Sequence, residues 1–159
     1  MVTFTDSHFI EFYQNILGKL LDYEWKAFKD KKKLRSTAKT FGDHLYVGGG
    51  SYNRYSGPAR INNNGHCTLF WKGLTRNATN CFYLEDIPLS FDWVRSGYKK
   101  TAEGAVKFNN IEIGRIIFEN GRIYLGKIKN GFLYYDIGNK ESKAGVYEVL
   151  VFNPILKDI

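Results

Sequence analysis

The chain has 159 residues, 43% of them hydrophobic and 16% aromatic, which excludes a disordered protein and allows one domain with a substantial core. Its formal net charge of +7 indicates an anionic partner or a basic, well-solvated surface. No apolar run approaches the about 18 residues of a membrane-spanning helix, and no signal-peptide pattern is present, so we expect a cytoplasmic protein or one released unconventionally.

The first predicted element is an amphipathic helix over residues 6–24. Asp6 or Ser7 can cap it, and apolar side chains recur at helical spacing along one broad face. Gly18 would weaken the helix by about 1 kcal/mol relative to alanine. Two interpretations stay open: the helix packs on the core, or it binds a membrane surface or a partner protein.

A basic run, KAFKDKKKLRSTAK, follows at residues 26–39. Such a run can bind an anionic membrane surface, a cell-surface glycan or nucleic acid, or it can be a solvated face. Nucleic acid is not expected as a partner, because the run lacks the interleaved aromatic side chains of a base-stacking platform. The helix and the run together support an alternative function as a membrane- or protein-partner-binding module.

Beyond residue 40 the sequence predicts an all-β body. Short apolar and aromatic segments alternate with the turn sequences NNNG, ENG, KNG and GNK. Asn-Gly between such segments is a strong hairpin signal, because both residues tolerate positive φ. We therefore expect FENGRIYLGKIKNGFLYY (118–135) to form an antiparallel meander. The strand in YEVLVFNPIL (147–156) is predicted to be an exposed edge that invites pairing with a second chain.

The β body contains an internal repeat with a period of 68 residues, the distance from Trp25 to Trp93. Each tryptophan is followed by an alanine, a phenylalanine, an apolar strand that ends in glycine, and a short segment with one basic residue. The corresponding segments are LYVG and IEIG (45–48 and 111–114), and PARI and LGKI (58–61 and 125–128).

Two copies of one unit usually share a core, because neither copy buries its apolar face alone. The predicted organisation is an N-terminal helical segment, 1–24, followed by two repeats, 25–92 and 93–159, that form one compact domain. The predicted fold class is mainly β: a β-sandwich of two pseudo-symmetric tandem repeats with an added N-terminal amphipathic helix.

These motifs resemble the DM-nine repeat, which occurs in tandem in invertebrate lectin-like proteins and beside the pore-forming modules of natterin-type proteins. The resemblance covers residues 25–152. In the first copy, Cys67 follows Pro58 by nine residues, as in the family. The resemblance implies a two-repeat β-sandwich, often with strands exchanged in a homodimer, and a role in recognising mannose-type carbohydrate in innate immunity.

The resemblance also implies a sugar-contacting pair: an acidic residue before the Tyr-Val-Gly strand and the lysine of Pro-Gly-Lys. That lysine corresponds to Lys127 in the second copy and to Arg60 in the first. Asp43 is the acid near the family position in the first copy. The arginine that follows Tyr-Val-Gly in the family is Gly49 in the first copy and Arg115 in the second.

A carbohydrate site needs polar groups that converge on the hydroxyls, because an unpaired buried hydroxyl is costly, and it also needs an aromatic face. The residues that could supply such a set are Asp43, Asn53, Arg60, Asn120, Lys127, Tyr52 and Tyr55. The asparagines could equally be turn residues, and the two basic residues could lie on exposed strands.

The sequence predicts neither a nucleotide site nor an enzyme. GGGSYNRYSGPAR (48–60) lacks the Gly-Lys-Ser/Thr of a phosphate loop, and no histidine has metal-ligand spacing to another. Cys67 and Cys81 are too few for a zinc site, and we expect both to be reduced in the cytosol. The Asn77 sequon is then not expected to be glycosylated. No catalytic residue, metal or cofactor is predicted.

Overall fold

Strands make up most of the described chain, which comprises residues 22–30, 34–98, 100 and 102–154 of the computed structural model. The mainly β fold predicted from the sequence is confirmed. The described helix, α1 (Leu34–Thr37), is a single turn, and no described helix is long and apolar enough to cross a bilayer. Residues 22–24, the last of the predicted helix, are not helical, and the rest of that helix lies outside the described residues.

The first sheet is built from the first half of the described chain. Its strands are β1 (Trp25–Ala27), β2 (Thr40–Gly42), β3 (Leu45–Tyr52), β4 (Tyr55–Ile61), β5 (Cys67–Trp71), β6 (Leu74–Asn77) and β7 (Phe82–Leu84). All pairs are antiparallel. The order across the sheet is β1-β7-β3-β4-β5-β6, and β2 pairs with part of β3.

The second sheet is built from the second half. Its strands are β8 (Phe91–Gly97), β9 (Lys107–Phe108), β10 (Ile111–Ile117), β11 (Ile123–Lys129), β12 (Phe132–Ile137), β13 (Lys140–Ala144) and β14 (Val146–Phe152). The order is β8-β14-β10-β11-β12-β13, and β9 pairs with β10. This order corresponds to that of the first sheet strand for strand, as a tandem two-sheet architecture requires.

Asparagine and glycine turns close the predicted meander. Asn130 and Gly131 have φ angles of 53° and 77° and join β11 to β12, while Gly138 and Asn139, at 53° and 62°, join β12 to β13. Two consecutive positive φ angles are typical of the type I′ turn, whose twist matches that of antiparallel strands. The prediction of short hairpins from the Asn-Gly signals is confirmed.

The edge position predicted for the last strand is wrong. β14 pairs with β8 along its whole length and with β10 at Glu148 and Val149, so it lies inside the sheet. The physical reason is that β14 is apolar on both faces: Tyr147 and Val149 belong to one buried cluster and Leu150 and Phe152 to another. A strand that is apolar on both faces fits an interior position.

An apolar core lies between the two sheets, as in a β-sandwich. Phe41, Val47 and Leu84 of the first sheet meet Ile113 and Leu150 of the second, and each is almost fully buried. Burying one such side chain contributes about 1.5–3 kcal/mol. These contacts make the two halves of the chain one packed unit.

Each sheet also has a buried cluster on its other face. Tyr46, the neighbour of Val47 in β3, points away from the shared core and packs with Ile61, Leu69 and Leu34 of α1. The alternation along β3 follows from the two-residue period of a strand. On the second sheet, Leu133, Tyr135, Tyr147 and Val149 form the equivalent cluster.

The two halves of the chain contact each other at β2 and β9. Trp25 of the first half donates its indole N–H to the Lys107 carbonyl at 3.1 Å, and Arg115 of the second half donates to the Phe41 carbonyl at 2.8 Å. The Phe108 ring lies on β3 so closely that a Cβ on Gly49 would be 2.3 Å from it. Glycine at this position therefore makes room for an aromatic ring from the other half.

Cys67 and Cys81 form a disulfide, so the expectation that both are reduced is wrong. Cys67 opens β5 and Cys81 immediately precedes β7, and the segment between them contains β6. This segment passes over β3 at Gly50, where a Cβ would lie 2.6 Å from that of Ala78. The spacing of the cysteines in the sequence does not reveal this close return.

Candidate functional site

A cleft between β4–β5 of the first sheet and β11–β13 of the second brings polar side chains of both halves together. Its lining includes Tyr55, Pro58, Arg60, Thr68, Phe70, Leu125, Lys127, Tyr134, Asp136 and Glu141. The cavity volume of the cleft is about 30 Å³, which is room for about one or two water molecules. Glu141, which belongs to this lining, is exposed to solvent.

Backbone pairing explains why Arg60 and Lys127 occupy equivalent places in the two sheets. Arg60 faces Val47 across β3 and β4, and Lys127 faces Ile113 across β10 and β11. Both partners belong to the shared core. Residues opposite each other in an antiparallel pair point to the same face, so both basic side chains point toward the other sheet.

An ion pair between Arg60 and Asp136 spans the two halves at the base of the cleft. The guanidinium donates from Nη1 to Oδ1 and from Nη2 to Oδ2, the latter at 2.7 Å. Thr75 donates its hydroxyl to the same Oδ2 at 2.8 Å, and its backbone N–H to Asn139 Oδ1 at 2.8 Å. The Asp136 side chain is only 4% exposed, whereas that of Arg60 is 29% exposed.

These contacts keep the Asp136 carboxylate ionised. Burial is the largest influence on this group and opposes ionisation, but the hydrogen bonds and charge of Arg60 and the hydrogen bond from Thr75 outweigh it. The pKa of Asp136 therefore lies below its ordinary value of 3.8. Because its oxygens already accept three hydrogen bonds, the carboxylate mainly holds Arg60 in place.

Lys127 is the more available cation of the cleft. Its Nζ lies 3.3 Å from the Tyr55 hydroxyl and 4.9 Å from the centre of the Tyr55 ring. No carboxylate of the described residues lies within 4.0 Å of this ammonium group. Lys127 is half-buried, so its charge is held at the wall of the cleft without an acidic partner.

Of the residues predicted to bind a ligand, the structure brings Arg60, Lys127 and Tyr55 together. Asp43 lies elsewhere, in the turn between β2 and β3, with a side chain that is 96% exposed and 3.6 Å from His44. The acid that faces Arg60 is instead Asp136.

The two predicted asparagines occupy exposed turns outside the cleft. Asn53 has a φ of 54° in the turn between β3 and β4. Asn120 lies between β10 and β11, where its Oδ1 accepts a hydrogen bond from the Arg122 backbone N–H at 3.0 Å. Asparagine is favoured in both settings because it tolerates positive φ and accepts local backbone hydrogen bonds.

Tyr52 also lies outside the cleft, in the buried cluster on the other face of the first sheet. Its ring is 5.5 Å from that of Trp71, and the Arg76 guanidinium lies 5.0 Å above it. Tyr52 and Tyr55 face each other across the turn, and both pack against this cluster. Of the two, Tyr55 also lines the cleft and Tyr52 does not.

Sequence reasoning missed Asp136, Thr75 and Glu141. A single acid in the aromatic segment FLYYDI was the available signal for Asp136, since an isolated charge in an apolar strand needs a partner. That partner, Arg60, is 76 residues away. Among the described residues, no group of three His, Cys, Asp or Glu side chains is arranged to hold a metal ion.

No model of a known protein family matches this sequence, and no curated protein sequence matches it. The resemblance to the DM-nine repeat rests on its short motifs and stays a prediction. The function of the chain is therefore inferred from the cleft.

Proposed function

We propose that the protein recognises carbohydrate at the mouth of the cleft between the two sheets and carries out no catalysis there. The observation that carries this proposal is the convergence of Arg60, Lys127 and Tyr55 with the acids Asp136 and Glu141 in one cleft. Donors, acceptors and aromatic rings on rigid strands suit a ligand with many hydroxyl groups and apolar C–H faces.

Each group has a distinct part in this proposal. Lys127 donates to neighbouring hydroxyls of one sugar, while the exposed Glu141 accepts from another hydroxyl. The Tyr134 ring supplies the apolar face, and Tyr55, whose ring lies under the Lys127 ammonium group, holds that lysine in position. Asp136 orients Arg60, so that the N–H groups of the guanidinium that do not bind Asp136 are held in a fixed direction for the ligand. The resemblance stated above suggests a mannose-type glycan and a role in innate immune recognition.

Glycan-array binding with the purified protein tests the proposal. We expect retention of mannose-type glycans that persists at high salt, and a loss of affinity of about tenfold or more in Lys127→Ala, which removes a charge-assisted donor. Arg54→Ala is the matched control, because it removes a cation from an exposed turn outside the cleft. Failure to bind any glycan would refute the proposal.

The predicted cytoplasmic location stays a prediction, and the disulfide bears on it. Disulfides persist mainly in oxidising surroundings such as the secretory pathway or the cell exterior. A glycan-binding protein meets its ligands there, so we propose that the protein acts in a non-reducing compartment. Quantifying free thiols in protein isolated from its natural source checks this point.

The alternative function, a membrane- or partner-binding module, depends on the N-terminal helix and the basic run. Within the run, Lys26 forms ion pairs with Glu24 at 2.8 Å and Glu85 at 3.5 Å. Part of the positive charge of the run is therefore balanced by nearby acids. Liposome co-sedimentation that is lost on deletion of residues 1–24 would favour this alternative. The predicted homodimer stays a prediction, but β14 is not expected to form it because both its edges are paired.

A further inference from the structure

The floor of the cleft continues into a surface on which lysines alternate with aromatic rings. Backbone pairing places Lys127 opposite Tyr134 and Tyr134 opposite Lys143, and it places Lys129 opposite Phe132. Opposite residues point to the same face, and so do residues two apart on one strand. We call these five residues the lysine–aromatic face.

The rings of this face are already engaged by the lysines. Lys143 Nζ lies 4.0 Å from the centre of the Phe132 ring and 6.0 Å from that of Tyr134. Lys127 Nζ lies over Tyr55 in the same way. Cation–π contacts of this kind hold an ammonium group in position without neutralising it.

The three lysines have no acidic partner among the described residues, since no carboxylate lies within 4.0 Å of their ammonium groups. The nearby acids lie together in the next row of the sheet, where Asp136 faces Glu141. That row is two residues along β12 from Tyr134, or about 7 Å. Because Arg60 balances the charge of Asp136, Glu141 is the acid left to one end of the cleft, and the lysines form its basic end.

The two ends suit different parts of a ligand. Lysine ammonium groups only donate hydrogen bonds, so the basic end lacks the acceptors that hydroxyl groups of a neutral sugar also require. A sulfate or carboxylate group is an acceptor only and matches a set of donors. Lys127 and Lys143 lie on strands two apart, at a backbone separation of about 10 Å, so they can contact neighbouring units of one oligosaccharide.

We infer that the glycan recognised at the cleft carries anionic groups, sulfate or uronic acid, beside its neutral sugars, and that the lysine–aromatic face binds those anionic groups. This inference rests on the proposed carbohydrate recognition and names its substrate class. A nucleic acid is disfavoured because the Phe132 and Tyr55 rings carry ammonium groups over them and are not free for base stacking.

Titration of the full-length protein with oligosaccharides of equal length tests the inference. The probes are a sulfated heparin fragment, a hyaluronan fragment and a neutral mannose oligosaccharide, with a single-stranded oligonucleotide and phosphatidylserine vesicles as non-glycan polyanions. We expect the acidic oligosaccharides to bind at least about tenfold more tightly than the neutral one at low salt, and their affinity to fall as salt is added.

Three variants locate the effect. Lys143→Gln and Lys129→Gln are each expected to weaken binding of the sulfated fragment by about fivefold to tenfold while leaving binding of the neutral oligosaccharide unchanged. Lys140→Gln is the matched control: it removes the same charge from an exposed position on the same strand, but from the opposite face. It is expected to bind like the wild type.

The outcomes separate the two proposals. Equal affinity for acidic and neutral oligosaccharides overturns this inference and leaves carbohydrate recognition standing. An equal loss in Lys140→Gln, or tighter binding of the oligonucleotide or vesicles than of any glycan, overturns it as well. Absence of binding to every glycan overturns both proposals together.

Discussion

Arg60→Ala is predicted to destabilise the fold through the carboxylate that it leaves behind. The Asp136 side chain is 4% exposed, and removal of the guanidinium takes away its cation and two of its three side-chain hydrogen bonds, leaving the one from Thr75. Removing one partner of a buried ion pair costs about 3–5 kcal/mol. Because the Arg60 side chain is itself 29% exposed, water can reach the vacated site, and we expect a loss of about 3 kcal/mol in the free energy of unfolding.

The way in which the stability loss of Arg60→Ala depends on pH shows whether the unpaired Asp136 carboxylate causes that loss. In the wild type, the pKa of Asp136 is lowered, so its stabilisation is complete above the unfolded-state pKa of about 4 and is lost as the pH falls through the folded-state value. In Arg60→Ala, burial without a cation raises the pKa of Asp136, and stability falls as the pH rises above about 4. The gap between the two proteins should therefore widen from pH 4 to pH 7.

Urea unfolding followed by tryptophan fluorescence at several pH values measures this gap, and thermal unfolding should show a fall of about 6–12 °C at pH 7. Arg54→Ala, at an exposed turn, is expected to change stability by less than about 0.5 kcal/mol. A loss in Arg60→Ala below about 1 kcal/mol, or a loss that does not change with pH, would refute the role assigned to the ion pair.

The remaining predictions concern the disulfide and the Phe108 ring, which packs on Gly49 of the other half. Reduction, or Cys67→Ser with Cys81→Ser, should lower the free energy of unfolding by about 3 kcal/mol, because the bond closes a loop of about 15 residues; an unchanged urea midpoint would contradict this. Gly49→Ala should cost about 1–3 kcal/mol because its methyl group would overlap the Phe108 ring, whereas Gly145→Ala, where the nearest atom is 3.5 Å away, should be tolerated. Equal melting temperatures of the two glycine variants would show that Phe108 moves aside freely.

Local signals made the strands and turns predictable. Asn130 and Gly131 specify their turn because both residues tolerate positive φ. The internal repeat separately predicted that Arg60 and Lys127 lie on corresponding strands, and they do. The acid of the cleft was not predictable in the same way. Asp136 pairs with Arg60, which is 76 residues away in the sequence, and the segment FLYYDI does not indicate which basic residue will pair with its acid.

The errors have a common physical origin. The pairing of Cys67 with Cys81 and the interior position of β14 both depend on how distant segments return to one another. The pattern of a single sequence indicates which residues are buried and where turns occur. It does not indicate which distant residues pack against a buried one. This is why the strands were predicted better than their partners.

The hydrogen bonds that β2 and β9 accept from the opposite half of the chain have a consequence for how the chain folds. The Trp25–Lys107 and Arg115–Phe41 hydrogen bonds join residues 82 and 74 positions apart. Contacts between residues so far apart in sequence slow folding, because the entropy of closing a long loop opposes their formation. The first half therefore completes its packing only when the second half is also present, since the shared core includes Ile113 and Leu150. We expect one cooperative transition without a stable half-folded intermediate.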